Sequence, residues 1–187
     1  MTYEISQTNL KDLLLIKPKV HHDDRGYFSE SFNKNEFERL SLPYNFVQDN
    51  QALSAKIFTI RGLHYQKHPK TQSKLIRVLR GEIFDVAVDI RKESSTFKQW
   101  QGFHLSADNK LQILIPKGFA HGICTLTSNT EVLYKVDEYY SPEHDAGIIW
   151  NDPDLKIKWP IEYEPSLSDR DKNLPTLDSL LESNSLF

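Results

Sequence analysis

The sequence predicts an all-β protein, an antiparallel sandwich or closed barrel of the jelly-roll kind with a few short peripheral helices. Three observations lead there. Short apolar or alternating runs recur at close spacing from Phe46 onward. Gly, Pro, Asn or Asp punctuates most of the gaps between them. No long stretch carries a convincing helical period.

Taken in order, Leu13-Leu14-Leu15-Ile16 is a short apolar run stopped by Pro18, which suits a strand ending, and His22-Asp23-Asp24-Arg25-Gly26 reads as a turn. Tyr27 to Phe32 mixes aromatic and polar residues as a strand does. Asn33 or Asn35 can cap a short helix through Leu40, which Pro43 ends. Strands are then expected at Phe46 to Gln48, Phe58 to His64, Leu75 to Leu79, Ile83 to Ile90, Gly102 to Leu105, Gln112 to Ile115, Gly122 to Leu126 and Val132 to Val136. Within the fourth, Phe84, Val86, Val88 and Ile90 alternate with Ile83, Asp85, Ala87 and Asp89, the pattern of a half-buried strand. The tail changes character. Trp150-Asn151-Asp152-Pro153 and Trp159-Pro160 are turn-rich, Leu177, Leu180 and Leu181 have the spacing of a short helix, and the whole should pack onto the sandwich.

A chain of 187 residues suits one domain over 1–187, large enough to bury about 70% of the surface its unfolded chain exposes. Neither a metal nor a disulfide is needed to hold it. Cys124 is the single cysteine, which excludes an internal disulfide framework and fits a reducing, cytoplasmic setting. A net charge of −3 gives no support to nucleic-acid binding. No apolar run approaches about 18 residues, and Met1-Thr2-Tyr3-Glu4 lacks the features of a signal peptide, so membrane and export roles are not expected.

Chemistry concentrates between Arg61 and Arg80. That stretch holds six cations (Arg61, Lys67, Lys70, Lys74, Arg77, Arg80) and two histidines without a carboxylate, a local field suited to a di-anionic ligand. His64 lies at the end of a predicted strand, where an imidazole titrating near about 6.5 can take a carbon-bound proton once a partner orients it. Taken singly, His64 reads as a structural histidine, Tyr134 as a core residue and Lys74 as an exposed lysine on a strand edge. His64, His68, His104 and His121 include no His-x-His pair, so a metal centre is not expected. The glycine patterns of phosphate loops are also absent, which leaves phosphates to Arg and Lys side chains.

Seven segments carry a family resemblance: RGLHYQ from Arg61, KLIRVLRGEIFDVAVDIR from Lys74, LSADN from Leu105, IPKGFAHGI from Ile115, LYKVDEYYSP from Leu133, WNDP from Trp150 and LSDRD from Leu167. In this order they resemble the dTDP-4-dehydrorhamnose 3,5-epimerases, of cupin fold, over about Asp24 to Pro175. The resemblance implies a cofactor-free, metal-free isomerase that inverts C3 and C5 of dTDP-4-dehydro-6-deoxy-D-glucose on the route to dTDP-L-rhamnose. It places the base on His64, its acidic partner on Asp171, the opposing acid on Tyr134 and the cation at the sugar keto oxygen on Lys74. Substrate contacts would fall on Arg25, Glu30, Gln48, Asp49, Asn50, Arg61, His121, Asp145 and Arg170. A homodimer is implied, with a strand near the N-terminus joining the partner's sheet and Arg25 and Glu30 reaching the neighbour's nucleotide.

The chain departs from the family pattern at Ser94 to Lys98, at Lys117 and Ile123, at Asp145 where Glu is usual and at Arg170 where Lys is usual. Other readings stay open at this stage: an epimerase acting at C3 or C5 alone, a 3,4-ketoisomerase, a non-enzymatic sugar-nucleotide-binding cupin, or a metal-dependent oxygenase. Asp171 also completes a Ser-x-x-Asp capping box with Ser168, and Asp85 is either a solvent-facing carboxylate or a partner of His121. Strand parity sets Arg61 and His64 on opposite faces unless a bulge at Gly62 realigns them.

Overall fold

The structure, a computed structural model, describes residues 2–186. Its strands are β1 (Tyr3–Gln7), β2 (Leu14–Pro18), β3 (His21–Asp23), β4 (Gly26–Phe28), β5 (Gln48–Ser54), β6 (Ile60–Gln66), β7 (Lys74–Arg80), β8 (Glu82–Asp89), β9 (Trp100–Ser106), β10 (Gln112–Ile115), β11 (Phe119–Thr125), β12 (Thr130–Val136) and β13 (Asp145–Gly147). One sheet runs β1-β2-β10-β7-β12-β5 and the other β13-β6-β11-β8-β9, while β3 and β4 form a separate hairpin. Pairing within the sheets is antiparallel, and from β6 to β13 each strand but β9 lies in the sheet opposite to the strand before it, the jelly-roll sandwich of the cupin type. No helix among the described residues is long and apolar enough to cross a membrane.

Three apolar layers hold this frame. Between the sheets, Ile76, Val78, Ile113 and Val132 meet Ile83, Ala87, Phe119 and Ile123. Outside one sheet, helix α1 (Lys34–Arg39) drops Phe37 onto Tyr3, Leu14, Ile16, Leu75 and Leu114. Asn33 caps that helix by accepting from the Glu36 N–H, as the sequence foretold. Outside the other sheet, the tail lays Leu155, Trp159, Leu177, Leu180 and Leu186 over Leu63, Val86, Val88, Ala120 and Cys124. Helix α2 (Asp169–Lys172) and helix α3 (Leu177–Glu182) belong to this tail.

The docked tail corrects one reading. β8 is not half-buried: from Asp85 to Asp89 each residue is buried, because one face looks into the sandwich and the other lies under the tail. The run from Tyr27 to Phe32 is a strand only as far as Phe28. β5 escapes a propensity reading because its alternate residues Gln48 and Asn50 are polar on the inward side. Their polarity belongs to the cleft described next.

Candidate active site

One end of the sandwich opens into a cleft of about 530 Å³ that joins a smaller lobe of about 190 Å³, with His64, Lys74, Tyr134 and Arg170 lining both. His64 comes from β6 on one sheet, whereas Lys74 from β7 and Tyr134 from β12 come from the facing sheet. Arg170 and Asp171 enter on α2, which closes over β6.

A β-bulge makes the constellation possible. Across the β6–β11 pair, His64 faces His121 and Arg61 faces Ile123, so three steps on β6 oppose two on β11. The extra residue sits at Gly62–Leu63, restores the parity of Arg61 and His64, and turns both side chains into the cleft. Gly62 has φ +128°, a conformation closed to ordinary L-residues.

His64 Nε2 lies 2.6 Å from Asp171 Oδ1. Burial by itself would raise the Asp171 carboxyl, but the hydrogen bond and charge of His64, with the hydroxyl of Ser168 and the Gly62 backbone, outweigh it and hold the group below the usual carboxylate range. Both readings of this residue are therefore realised at once. Ser168 caps α2 by accepting from the Asp171 N–H at 3.0 Å, while the Asp171 side chain serves His64. The other ring nitrogen of His64 is left for a ligand.

Lys74 is 9% exposed, and its Nζ donates to the His64 carbonyl at 3.3 Å. Burial lowers its pKa to about 8, and the carboxylates of Asp145 and Asp85 pull in the opposite direction. It is not the exposed edge lysine that its sequence position alone implied. Burial raises the Tyr134 phenol, Arg61 lowers it and Asp145 raises it, with a net upward shift that keeps the proton on the oxygen at neutral pH.

Arg61 donates to Ser54 Oγ at 3.0 Å and to the Leu53 carbonyl at 3.1 Å, both uncharged, so its charge remains available to an anion. Arg170 is matched by Asp145 at 2.9 Å, and Tyr140 donates to that same carboxylate at 3.0 Å. Two of the departures from the family pattern, Asp145 and Arg170, thus meet in one ion pair. Gln48 and Asn50 line the smaller lobe and bond each other at 2.8 Å.

Other expectations fall away from the cleft. Asp49 alternates with Gln48 and Asn50 onto the outer face of β5, where it pairs with Lys135 at 2.8 Å. Arg25 stands on the β3–β4 hairpin, 90% exposed and paired with Asp23, and Glu30 lies beside Thr2, Lys19 and Phe28; neither lines this chain's cleft. The basic stretch also disperses. Of its six cations, Arg61 and Lys74 face the cleft, while Lys70 pairs with Glu138. Ser54, Ser166 and Tyr140 belong to the site's surroundings and were not anticipated; of these, Tyr140 alone lay in a recognised segment. No group of three or more His, Cys, Asp or Glu side chains among the described residues is arranged to hold a metal ion.

The sequence profile of the dTDP-4-dehydrorhamnose 3,5-epimerase family matches residues 7–179. The dTDP-4-dehydrorhamnose 3,5-epimerase of Salmonella typhimurium is 49% identical over 178 residues, 95% of this chain and 97% of that protein. Among solved structures, the Bacillus anthracis dTDP-4-dehydrorhamnose 3,5-epimerase with TDP and PPi bound is 56% identical with a TM-score of 0.91, covering 94% of this chain and 99% of that one. The Legionella pneumophila dTDP-6-deoxy-D-glucose-3,5-epimerase in complex with dTDP-4-keto-L-rhamnose is 45% identical with a TM-score of 0.90, covering 94% of this chain and 93% of that one.

Proposed function

Because the chain belongs to the dTDP-4-dehydrorhamnose 3,5-epimerase family, we propose that its cleft inverts C3 and C5 of dTDP-4-dehydro-6-deoxy-D-glucose with His64 as base, Tyr134 as acid and Lys74 as the cation at O4. The observation that carries this assignment is the opposition of His64, oriented by Asp171, to Tyr134 on the facing sheet, with buried Lys74 lining the same cleft.

The chemistry needs little more. Protons on C3 and C5 are acidic because both carbons flank the C4 ketone. His64 removes one through the ring nitrogen that Asp171 leaves free, and the carboxylate stabilises the imidazolium that forms. Negative charge then moves to O4, where Lys74, itself buried at the cleft wall, stabilises it. Tyr134, its phenol protonated, returns a proton from the other side, and the carbon inverts. After the ring turns about the same ketone, the same groups serve the second carbon.

The nucleotide end belongs with Arg61, whose guanidinium no acid among the described residues matches, and with Gln48, Asn50, Asp145 and Arg170, while His121, the cross-strand neighbour of His64, stands at the sugar end. Tyr140, 54% exposed beside the smaller lobe, presents a ring face on which a base can stack. A homodimer belongs to the same reading, with Arg25 and Glu30 supplied to the neighbour's site. A cytoplasmic setting agrees with Cys124, a buried free thiol pushed up to about 12 by burial.

The deciding experiment is incubation with dTDP-4-dehydro-6-deoxy-D-glucose in deuterated water. Deuterium at both C3 and C5 is expected. Label at one carbon alone would reduce the enzyme to a single epimerase, and label at neither would leave a binding protein.

A further inference from the structure

The cleft holds a second histidine–carboxylate pair that the reaction as described does not use. His121 on β11 is the direct cross-strand neighbour of His64, and Asp85 lies one strand further on, on β8. His121 faces Ala87 in the register, so it reaches Asp85 diagonally, and its Nε2 lies 2.9 Å from Asp85 Oδ2. His64, His121 and Asp85 therefore form a row across three adjacent strands on the face turned toward the cleft. The Asp85 side chain is completely buried while the His121 side chain is 13% exposed.

Asp85 is costly where it stands. A carboxylate buried between the two sheets needs its hydrogen-bonding capacity filled, and Asp85 Oδ1 has no hydrogen-bond partner among the described residues. Its neighbours on this face of β8, Ile83 and Ala87, are apolar, and a purely structural site would take another apolar residue at lower free-energy cost. The polar groups it meets are those of the cleft: His121 by direct contact and the Lys74 ammonium through space.

We infer that Asp85 is a positioning residue, which acts through His121 by fixing the orientation and tautomer of that imidazole at the wall of the cleft beside His64. The proton sits on the ring nitrogen turned to Asp85, and the rest of the ring meets the sugar. The role is distinct from the orientation of His64, which Asp171 performs from α2. This inference rests on the assignment of the cleft as the site of epimerisation.

A double-mutant cycle on the full chain tests it, together with nitrogen-15 NMR of the histidine rings. Asp85→Asn keeps the shape and removes the acceptor charge. It should lower kcat by about tenfold or more while leaving inhibition by dTDP within about twofold, and it should have no further effect in a His121→Ala background. Equal losses in the presence and absence of His121 would overturn the inference, as would a folded Asp85→Asn protein with unchanged kcat. Should Asp85→Asn fail to fold, the wild-type spectrum decides: His121 protonated at Nε2 supports the coupling, and a ring protonated only at Nδ1 refutes it. The NMR readout needs no substrate, so it stands or falls apart from the assigned reaction, whose own failure would appear as wild-type enzyme that exchanges no deuterium.

Discussion

Gly62 and Gly122 face each other across β6 and β11 so closely that a Cβ on Gly62 would stand 2.6 Å from Gly122 Cα and 2.7 Å from the His121 carbonyl oxygen. The contact is backbone against backbone, with no flexible side chain to move aside, and Gly62 also has φ +128°. Gly62→Ala is thus expected to destabilise the fold by about 1–3 kcal/mol and to displace His64 from Asp171. Thermal melts and turnover of the still-folded fraction measure the two effects. A variant with wild-type melting and wild-type turnover would show that the bulge does not position the base.

For His64, the catalytic and structural readings predict different outcomes. The side chain is 28% exposed at a cleft wall and, among the described residues, bonds to Asp171 alone. His64→Ala should remove nearly all turnover and all solvent exchange, with dTDP affinity and melting temperature close to wild type. A protein that melts early yet turns over normally while folded would make His64 a core residue.

Why some of this was legible and some was not follows from the residues themselves. Short apolar or alternating runs located β7, β8, β10 and β12 because each buries several of its side chains. β5 offered no such signal, since Gln48 and Asn50 face a polar cleft. Parity alone separated Arg61 from His64, and only the register against β11 reveals that Gly62 removes the conflict. The double burial of β8 depended on a tail some seventy residues later in the chain, which no local window contains. The cluster of cations from Arg61 to Arg80 looked like one field because sequence proximity ignores the two faces of a strand.

Lys74 carries opposite consequences for stability and for rate. Its folded pKa of about 8 lies below the ordinary 10.5, so the unfolded chain binds more protons between those values. Stability contributed by this group accordingly rises with pH through that window, and below about 8 the full penalty is present, on the order of 3 kcal/mol. Lys74→Met should raise the melting temperature at pH 7 and cost about 2.7–4 kcal/mol of barrier, by analogy with loss of one oxyanion donor. In the wild type, kcat/KM should fall as pH rises through about 8, where the cation is lost. A variant that melts lower and still turns over would refute both halves.

Arg25 tests the assembly. It is 90% exposed on the β3–β4 hairpin and outside its own chain's cleft, so any service to the nucleotide must be rendered to another copy. Arg25→Ala should raise KM, and mixing it with inactive His64→Ala should restore tight-binding turnover, because a mixed dimer has one site with both groups intact. Failure of mixing to restore activity in subunits shown to exchange would remove the shared-site reading.

Tyr134 separates proton removal from inversion. The phenol lies on the sheet facing His64, and its upward-shifted pKa keeps it a proton donor at neutral pH. Without its hydroxyl, His64 still removes a proton from carbon, exchanges it and returns a solvent proton to the same face. Tyr134→Phe should therefore incorporate deuterium into recovered substrate while forming product at a rate reduced by about a hundredfold or more. Mass spectrometry of the substrate pool follows the first process and coupled reduction of the product follows the second. If both rates fell together, Tyr134 would be acting before the enolate forms; if neither fell, the proton would have to come from another group, and the opposed arrangement of His64 and Tyr134 would not be what inverts the carbon.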